Sequence, residues 1–183
     1  YGGEALYECQ LSEDEARVIA AINASGQVVV LDEDVAGTSV PKLFCDNEQG
    51  GYLAGRHLAE AGHRRVLFIG GVDAMLSGAR RFNGFRRAMT EVWGADARIE
   101  RYEGEYSTEF GQSAAKRMLE SRLDVTAVFA TSDEITIGAL EVLNAAGIRV
   151  PQDLSLVGFD DVGPLHLFAP AVTAVRQPVR DLG

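Results

Sequence analysis

Short apolar runs recur along the chain, and each of them ends in small or acidic residues. The runs cover residues 28–31, 66–69, 127–130 and 154–159, and they lead into Asp32, Gly70-Gly71, Thr131-Ser132-Asp133 and Asp160-Asp161. Apolar runs of this length, bounded by polar turn residues, predict the buried strands of a parallel sheet. Open α/β sheets bind their ligands at the carboxyl ends of the strands, so the repeated endings predict a binding crevice.

Segments with helical spacing of apolar residues lie between these runs. Helix-start signals stand at Ser12-Glu13-Asp14-Glu15, Asp46-Asn47, Ser107 and Thr131-Ser132-Asp133-Glu134. From residue 48 onward, helices and strands alternate as far as a last strand near residues 173–176. This alternation predicts an α/β fold with a parallel, doubly wound sheet and helices on both of its faces.

The first part of the chain is poorer in predicted elements. Before residue 46 the pattern gives one helix and one or two strands, which are too few for a sheet of their own. The chain begins at Tyr1 without an initiator Met or a signal-peptide pattern, which indicates a segment of a longer protein. We therefore expect an incomplete lobe ahead of residue 46.

Composition narrows the range of partners. The chain of 183 residues has 17 Lys and Arg against 27 Asp and Glu, which gives a formal net charge of -10. A DNA-binding surface needs clustered basic residues, so this segment by itself is not expected to bind DNA. The apolar runs are far shorter than the roughly 20 residues of a membrane-spanning helix, so no span is predicted.

Several motifs of known enzyme classes are absent from the sequence. The chain has no G-x-G-x-x-G phosphate loop and no G-x-S-x-G nucleophile elbow. His57, His63 and His166 lack the spacing of zinc ligands, so each is predicted to be a surface or helix-end histidine. We therefore expect no enzyme activity, no cofactor and no metal site, and a small α/β enzyme is the least favoured class.

Structural roles compete with binding roles at the polar residues near the strand ends. Asp160 and Asp161 are adjacent, so on an extended strand they point to opposite sides and at most one faces the crevice. Asp160 and Asp32 suit the capping of a helix or turn as well as the binding of a ligand. At Arg81 a solvated surface charge is the commoner role. Tyr106 is equally compatible with a place in the core.

A set of ordered fragments carries a resemblance to a known family. The fragments are Val40-Pro41, Asp46-Asn47, Gly50-Gly51, His57 to Arg65, Arg81-Phe82-Asn83-Gly84-Phe85, Gly104 to Gly111, Thr126 to Phe129, Ser132-Asp133, Gly138-Ala139-Leu140, Gly147 to Asp161, Pro170, Thr173 to Pro178, and Leu182-Gly183. In this order they resemble the effector-binding domain of the lactose-repressor (LacI/GalR) family of bacterial transcriptional regulators. The match covers nearly the whole chain.

The resemblance implies a periplasmic-binding-protein-like fold, in which two lobes clamp a small molecule. Residues 1–45 would be part of the N-terminal lobe, and residues 46–177 would be the C-terminal lobe of the effector-binding domain. Residues 178–183 would cross back to the N-terminal lobe. The DNA-binding head and hinge of the family would lie outside this chain.

Carried over position by position, the resemblance implies an effector site made of seven residues. They are Asp32, Ser77, Arg81, Tyr106, Ser132, Asp160 and Gln177. Arg81 would supply a rigid fork of donors, Tyr106 a face for a sugar ring or a purine, and the aspartates acceptors for paired hydroxyls. Ser132 departs from the family, which often has Asn there. Arg81 is expected at the cleft rim outside the core, so its removal should weaken binding with little loss of stability.

The resemblance favours an effector sensor without catalysis, which alters its affinity for operator DNA. It implies a sugar-like or nucleobase-like effector, operator DNA bound through the head domain, a homodimer and a cytoplasmic location. Residues 163–168 and the helix 133–146 would form part of the dimer contact, with Leu165, Leu167 and Phe168 as an exposed apolar patch. The alternative function on the same fold is a secreted sugar-binding protein of a transporter, but the family-like ending after Pro170 favours the regulator.

Overall fold

The computed structural model describes residues 13–72, 75–161 and 164–178, and the chain divides into two compact units. The first unit comprises Tyr1–Phe44 and the second comprises Cys45–Gly183. The predicted crossover at residues 178–183 lies, apart from residue 178, outside the described residues.

The described part of the first unit, residues 13–44, contains one helix and one pair of short parallel strands. Helix α1 spans Glu13–Ser25, strand β1 spans Val30–Leu31 and strand β2 spans Lys42–Leu43. The two strands pair in parallel, with Val30 beside Lys42. Only two residues of the apolar run 28–31 are in a strand, because the described partner strand is itself two residues long. Ser12 of the predicted capping box lies outside the described residues.

The second unit is built on a five-stranded parallel sheet with four long helices. The strands are β3 (Arg65–Gly71), β4 (Arg98–Gly104), β5 (Ala127–Ala130), β6 (Ser155–Phe159) and β7 (Thr173–Val175). The helices are α2 (Asn47–Glu60), α3 (Leu76–Trp93), α4 (Thr108–Glu120) and α5 (Asp133–Ala145), with 3-10 helices at Gly94–Asp96 and Pro164–Leu167. The spatial order is β4-β3-β5-β6-β7, and all neighbours are parallel. The predicted doubly wound α/β architecture is confirmed.

Alternate residues of the strands bury two separate clusters, one on each face of the sheet. Val66 and Phe68 of β3 join the cluster that packs against α2 and α3, whereas Leu67 and Ile69 join the cluster beneath α4 and α5. On the first face, the Phe68 ring centroid lies 5.6 Å from that of Phe85. Full burial of one such aromatic or aliphatic side chain contributes about 1.5–3 kcal/mol, so both faces stabilise the sheet.

Glycines allow the helices on each face to touch through their backbones. A Cβ placed on Gly84 of α3 would lie 1.8 Å from the carbonyl oxygen of Glu48, and one on Gly138 of α5 would lie 2.0 Å from that of Thr108. No side chain fits at these distances, so α2 packs on α3, and α4 on α5, at the closest approach that helices permit. Among the residues that the structure describes, no helix is long and apolar enough to cross a membrane.

The apolar patch predicted around residues 163–168 is only partly exposed. Leu165 is completely buried and belongs to the core cluster on the α4–α5 face, so its predicted place on the surface is wrong. The 3-10 helix that carries it turns this side chain inward. Leu167 is 73% exposed and Phe168 is 36% exposed. Residue 163 lies outside the described residues.

Candidate functional site

Six of the seven predicted site residues lie in the second unit. Five of them lie just after the carboxyl end of a strand or at the start of the helix that follows it. The sixth, Arg81, lies about one turn into α3. Ser77 opens α3, Tyr106 follows β4, Ser132 follows β5, Asp160 follows β6 and Gln177 follows β7. Parallel strands all end at the same edge of their sheet, so this edge gathers the polar groups of the second unit.

Arg81 is the most enclosed charged residue among them, with 4% of its surface exposed. Its Nε donates to the amide oxygen of Asn47 at 2.8 Å, and its Nη1 donates to the carbonyl oxygen of Thr131 at 2.6 Å. The guanidinium carbon lies 3.9 Å from the ring centroid of Phe159. The expectation that Arg81 stands outside the core is therefore wrong. Two buried acceptors and an aromatic face compensate the guanidinium for lost water, which makes this burial possible.

Asp160 is half-buried and is held by groups at and just beyond the end of β7. The Gln177 side-chain amide donates to Asp160 Oδ1 at 2.7 Å, and the Asp160 backbone N–H donates to the Val175 carbonyl at 2.8 Å. Asp161 instead accepts from Arg176 Nε at 3.0 Å. The two adjacent carboxylates thus contact different partners, although both lie beyond the end of β6, where the alternation of side chains along a strand no longer applies.

Tyr106 keeps its hydroxyl inside the protein while part of the residue remains accessible. The hydroxyl is fully buried and has no hydrogen-bond partner among the described atoms. It lies against the end of β3, where a Cβ on Gly71 would come within 2.7 Å of the Tyr106 oxygen. The Tyr106 ring centroid is 5.6 Å from the Arg81 guanidinium carbon. Since the residue is only half-buried, its accessible surface comes from atoms other than the hydroxyl.

The two predicted serines are both buried at helix starts. Ser132 is the N-cap of α5, and its Oγ accepts from the backbone N–H of Ile135 at 3.1 Å, which confirms the predicted helix start. A hydroxyl that accepts this bond can still donate its own proton. Ser77 lies in the first turn of α3, four residues before Arg81, and therefore on the same side of that helix.

Charges of both signs meet at this edge of the sheet. Partial burial raises the pKa of Glu134, and the nearby carboxylates of Asp133 and Asp160 raise it further. Helices α4 and α5 point their N-termini toward the same edge, because each follows a strand, and the partial positive charge of a helix N-terminus offsets such carboxylates. Within the described ranges, no group of three or more His, Cys, Asp and Glu side chains is placed to hold a metal ion.

Asp32 belongs to the first unit, where it occupies the equivalent place after a strand. It follows β1, and its backbone N–H donates to the Leu43 carbonyl at 2.7 Å. Its backbone adopts a left-handed conformation with φ of 60°, and Asp160 does the same with φ of 66°. Non-glycine residues rarely adopt this conformation, and Asp tolerates it better than most. Both aspartates therefore leave their strands with a left-handed backbone.

Sequence reasoning missed three groups that complete the surroundings of Arg81. Asn47 was expected to share the helix cap with Asp46, but only the predicted role of Asp46 is confirmed, with its carboxylate accepting from Gln49 N–H at 2.9 Å. Asn47 instead binds Arg81, and the Thr131 carbonyl and the Phe159 ring provide the other contacts. No local pattern in the sequence indicates these pairings.

Replacing Arg81 with Ala is expected to destabilise the protein. The change would leave the Asn47 amide oxygen and the Thr131 carbonyl buried without their donor, and each such group costs about 1–3 kcal/mol. We expect the free energy of unfolding of the intact protein to fall by roughly 2–4 kcal/mol, as measured by urea denaturation. Arg86→Ala, at an exposed position of the same helix, is the control and should change it by less than about 0.5 kcal/mol. Equal stability of the two variants would contradict the buried role of Arg81.

Comparison with known proteins connects this geometry to a family. Residues 56–183 match the family described as periplasmic binding protein-like domain. The chain is 38% identical over 157 residues to the HTH-type transcriptional repressor PurR of Klebsiella pneumoniae, a match that covers 85% of this chain and 46% of the repressor. The chain thus spans about half the length of the curated relatives that it matches.

Solved structures give the same result. A LacI family transcriptional regulator from Mycobacterium smegmatis has a TM-score of 0.80 at 28% identity, covering 92% of this chain and 62% of that one. A LacI family regulator from Enterococcus faecium with bound ribose has a TM-score of 0.72 at 26% identity, covering 84% of this chain and 57% of that one. The chain therefore belongs to the periplasmic binding protein-like domain family, and the solved structures that resemble it include LacI family transcriptional regulators.

Proposed function

We propose that this domain senses a small polar effector for a bacterial LacI-type transcriptional regulator, and that effector binding alters the affinity of the intact protein for operator DNA. The observation that carries the proposal is the buried polar cluster at the carboxyl edge of the sheet. There, Arg81 is fixed by two hydrogen bonds and Asp160 by the amide of Gln177. Polar groups held in place before a ligand arrives are typical of specific small-molecule sites.

The chemistry of this edge suits a ligand with hydroxyl or ring-nitrogen groups. Arg81 supplies donors, Asp160 supplies acceptors, and Ser77 and Ser132 supply hydroxyls that both donate and accept. Tyr106 would provide an aromatic face for a sugar ring or a purine. We therefore propose a sugar-like or nucleobase-like effector, and the ribose bound in the Enterococcus faecium regulator supports the sugar class. Asp32 and Gln177 remain predicted effector ligands.

In the proposed activity the effector shifts the equilibrium between two conformations of the protein, and no chemical reaction takes place. An effector alters DNA affinity only to the extent that it binds one conformation of the protein more tightly than another. Operator DNA would be bound through a head domain that lies outside these residues, so the sensor would work in the cytoplasm. The curated relatives are named as repressors. Their names favour a regulator over an enzyme or the secreted sugar-binding protein of a transporter.

We also propose that residues 1–45 belong to a lobe that further chain completes. Val18, Val29 and Leu31 in this part are 58%, 56% and 59% exposed. Several large apolar side chains exposed in one short segment favour a surface that packs against other protein. Residues 46–177 would then form the C-terminal lobe, in which the described polar cluster lies.

The experiment that tests the proposal uses the intact protein and a panel of monosaccharides and purine bases, with D-ribose and guanine among them. Calorimetry measures which compounds bind, and fluorescence anisotropy measures affinity for duplexes selected from a random pool, with and without each compound. We expect at least one compound to bind and to change the DNA affinity 5-fold or more, within the usual range of about 5–150-fold for coupled sites. Binding with no change in DNA affinity would favour the transport protein instead.

Tyr106 is predicted to act through its ring. Its hydroxyl is enclosed beside Gly71, so Tyr106→Phe should keep the affinity for the bound panel compound within about twofold. Tyr106→Ala should lower that affinity by about 10-fold or more, since a stacked ring contributes on the order of 1–3 kcal/mol. Calorimetry of both variants provides the measurement. A loss in Tyr106→Phe as large as that in Tyr106→Ala would show that the hydroxyl binds the effector.

We further propose a homodimer, with contacts near Leu167 and Phe168. These exposed side chains border a groove of about 900 Å³, which the C-terminal end of α5 and residues 147–152 also line. An exposed apolar surface of this kind is typical of an interface between subunits.

Light scattering on the intact protein at micromolar concentration should give the mass of a dimer, and Leu167→Glu should shift it toward the monomer. Leu53→Glu is the matched control, because Leu53 is 51% exposed on α2 and does not line the groove. A charge buried between subunits is costly, whereas one on a solvated helix is not. A native mass equal to that of one chain would contradict the proposal.

A further inference from the structure

Asn47 is a buried amide whose oxygen faces Arg81 and whose nitrogen lies 3.5 Å from the Cys45 carbonyl oxygen. It is the first residue of α2, and only 1% of its surface is exposed. Its Oδ1 accepts from Arg81 Nε at 2.8 Å. Arginine carries donors and no acceptor, so the oxygen of the amide, and not its nitrogen, has to face the guanidinium. The bond therefore fixes the rotation of the amide as well as one edge of the guanidinium.

The next residues of α2 place its backbone against the same arginine. A Cβ on Gly51 would lie 1.9 Å from the Arg81 carbonyl oxygen, so the two main chains are in direct contact there. A Cβ on Gly50 would lie 2.7 Å from the Phe159 ring, which is the ring that the guanidinium stacks on at 3.9 Å. Asn47, Gly50 and Gly51 thus contact the side chain, the supporting ring and the backbone of Arg81 in turn.

These contacts restrict the guanidinium in each direction that matters for recognition. Phe159 defines the plane of the group, the Thr131 carbonyl holds Nη1, and Asn47 holds Nε. Loss of the Nε bond would remove one of these restraints, so the guanidinium would be held less firmly and its donors would be directed less precisely. A displacement of about 1 Å in a polar group is enough to weaken recognition strongly.

We propose that Asn47 is a positioning residue, which orients Arg81 for the effector and does not itself contact the effector. This inference rests on the proposed function of Arg81 as an effector ligand. The near-complete burial of Asn47 supports an indirect role, because so little of its surface is accessible. To orient Arg81, the residue at position 47 needs an oxygen that accepts from Arg81 Nε, and it does not need the amide nitrogen.

Two substitutions distinguish the effect of the acceptor oxygen of Asn47 from the effect of its side-chain volume. Asn47→Leu keeps a similar size and removes the acceptor, whereas Asn47→Asp keeps an oxygen in the same place. Gln49→Leu is the matched control, since Gln49 is exposed in the same turn of α2. Hydrogen bonds to a charged donor are stronger when the acceptor is charged, so Asn47→Asp should hold Arg81 at least as firmly as the native residue.

The first measurement needs no ligand. In the intact protein labelled with ¹⁵N-arginine, the Nε–H signal of Arg81 is assigned by its loss in Arg81→Lys, and its exchange with solvent is followed by NMR. We expect protection from exchange in the native protein, in Gln49→Leu and in Asn47→Asp. In Asn47→Leu we expect exchange to be at least about 10-fold faster, which corresponds to the loss of one bond of this type. Unchanged protection in Asn47→Leu would overturn the proposal.

The second measurement is calorimetric titration of the same variants with D-ribose and with guanine. Relative to the native protein, Asn47→Leu should lower the affinity for the bound compound by about 10-fold. Asn47→Asp and Gln49→Leu should both keep the native affinity. An Asn47→Leu variant that loses Nε–H protection but keeps native affinity would overturn the positioning role. If Arg81→Ala also keeps native affinity, the failure lies in the proposed effector site and not in the geometry around Asn47.

Discussion

A guanidinium buried inside the second unit is the constraint on which the rest of the structure depends. Taking the charged side chain of Arg81 out of water requires acceptors and a suitable face at fixed positions. These come from the start of α2, the residue after β5 and the last residue of β6. The arginine is therefore satisfied only when two helices and two strands have reached their final places. In this way the same contacts stabilise the fold and form the site.

The parallel sheet explains why the polar groups meet at one edge. Each of strands β3 to β6 delivers the chain to that edge, and a helix or a turn begins there. Asp160 leaves its strand with a left-handed backbone, and Gln177 on the neighbouring strand end then binds its carboxylate. Strain at such positions is typical of binding sites, where surrounding contacts maintain it. The fold thus holds donors and acceptors in fixed directions at this edge, as the proposed site requires.

Local patterns in the sequence predicted the elements of the second unit well. The apolar run 127–130 coincides with β5, and the caps at Ser107 and Ser132 accept from Phe110 N–H and Ile135 N–H as expected. Signals of this kind depend on residues within one turn or one strand. The first unit was less predictable, because β1 extends only as far as its short partner β2 allows.

The pairings that make the site could not be read from the sequence. Arg81 binds groups that are 34 and 50 residues away, and nothing in its own neighbourhood distinguishes a buried guanidinium from a solvated one. Leu165 illustrates the opposite error, since an apolar residue in a loop-like segment was expected on the surface and lies in the core. Family resemblance supplied the predicted site residues, but it did not reveal the contact of Asn47 with Arg81. Contacts between distant segments become visible only in three dimensions.

The most direct test of this account is a crystal structure of the intact protein grown with whichever of D-ribose and guanine binds it. The central claim is that the carboxyl edge of the parallel sheet holds the effector through prepositioned polar groups. It predicts ligand density within hydrogen-bond distance of Arg81 and Asp160, with Arg81 still bonded to Asn47 and Thr131. Ligand density confined to the groove beside Leu167, or to any place away from this edge, would contradict the account.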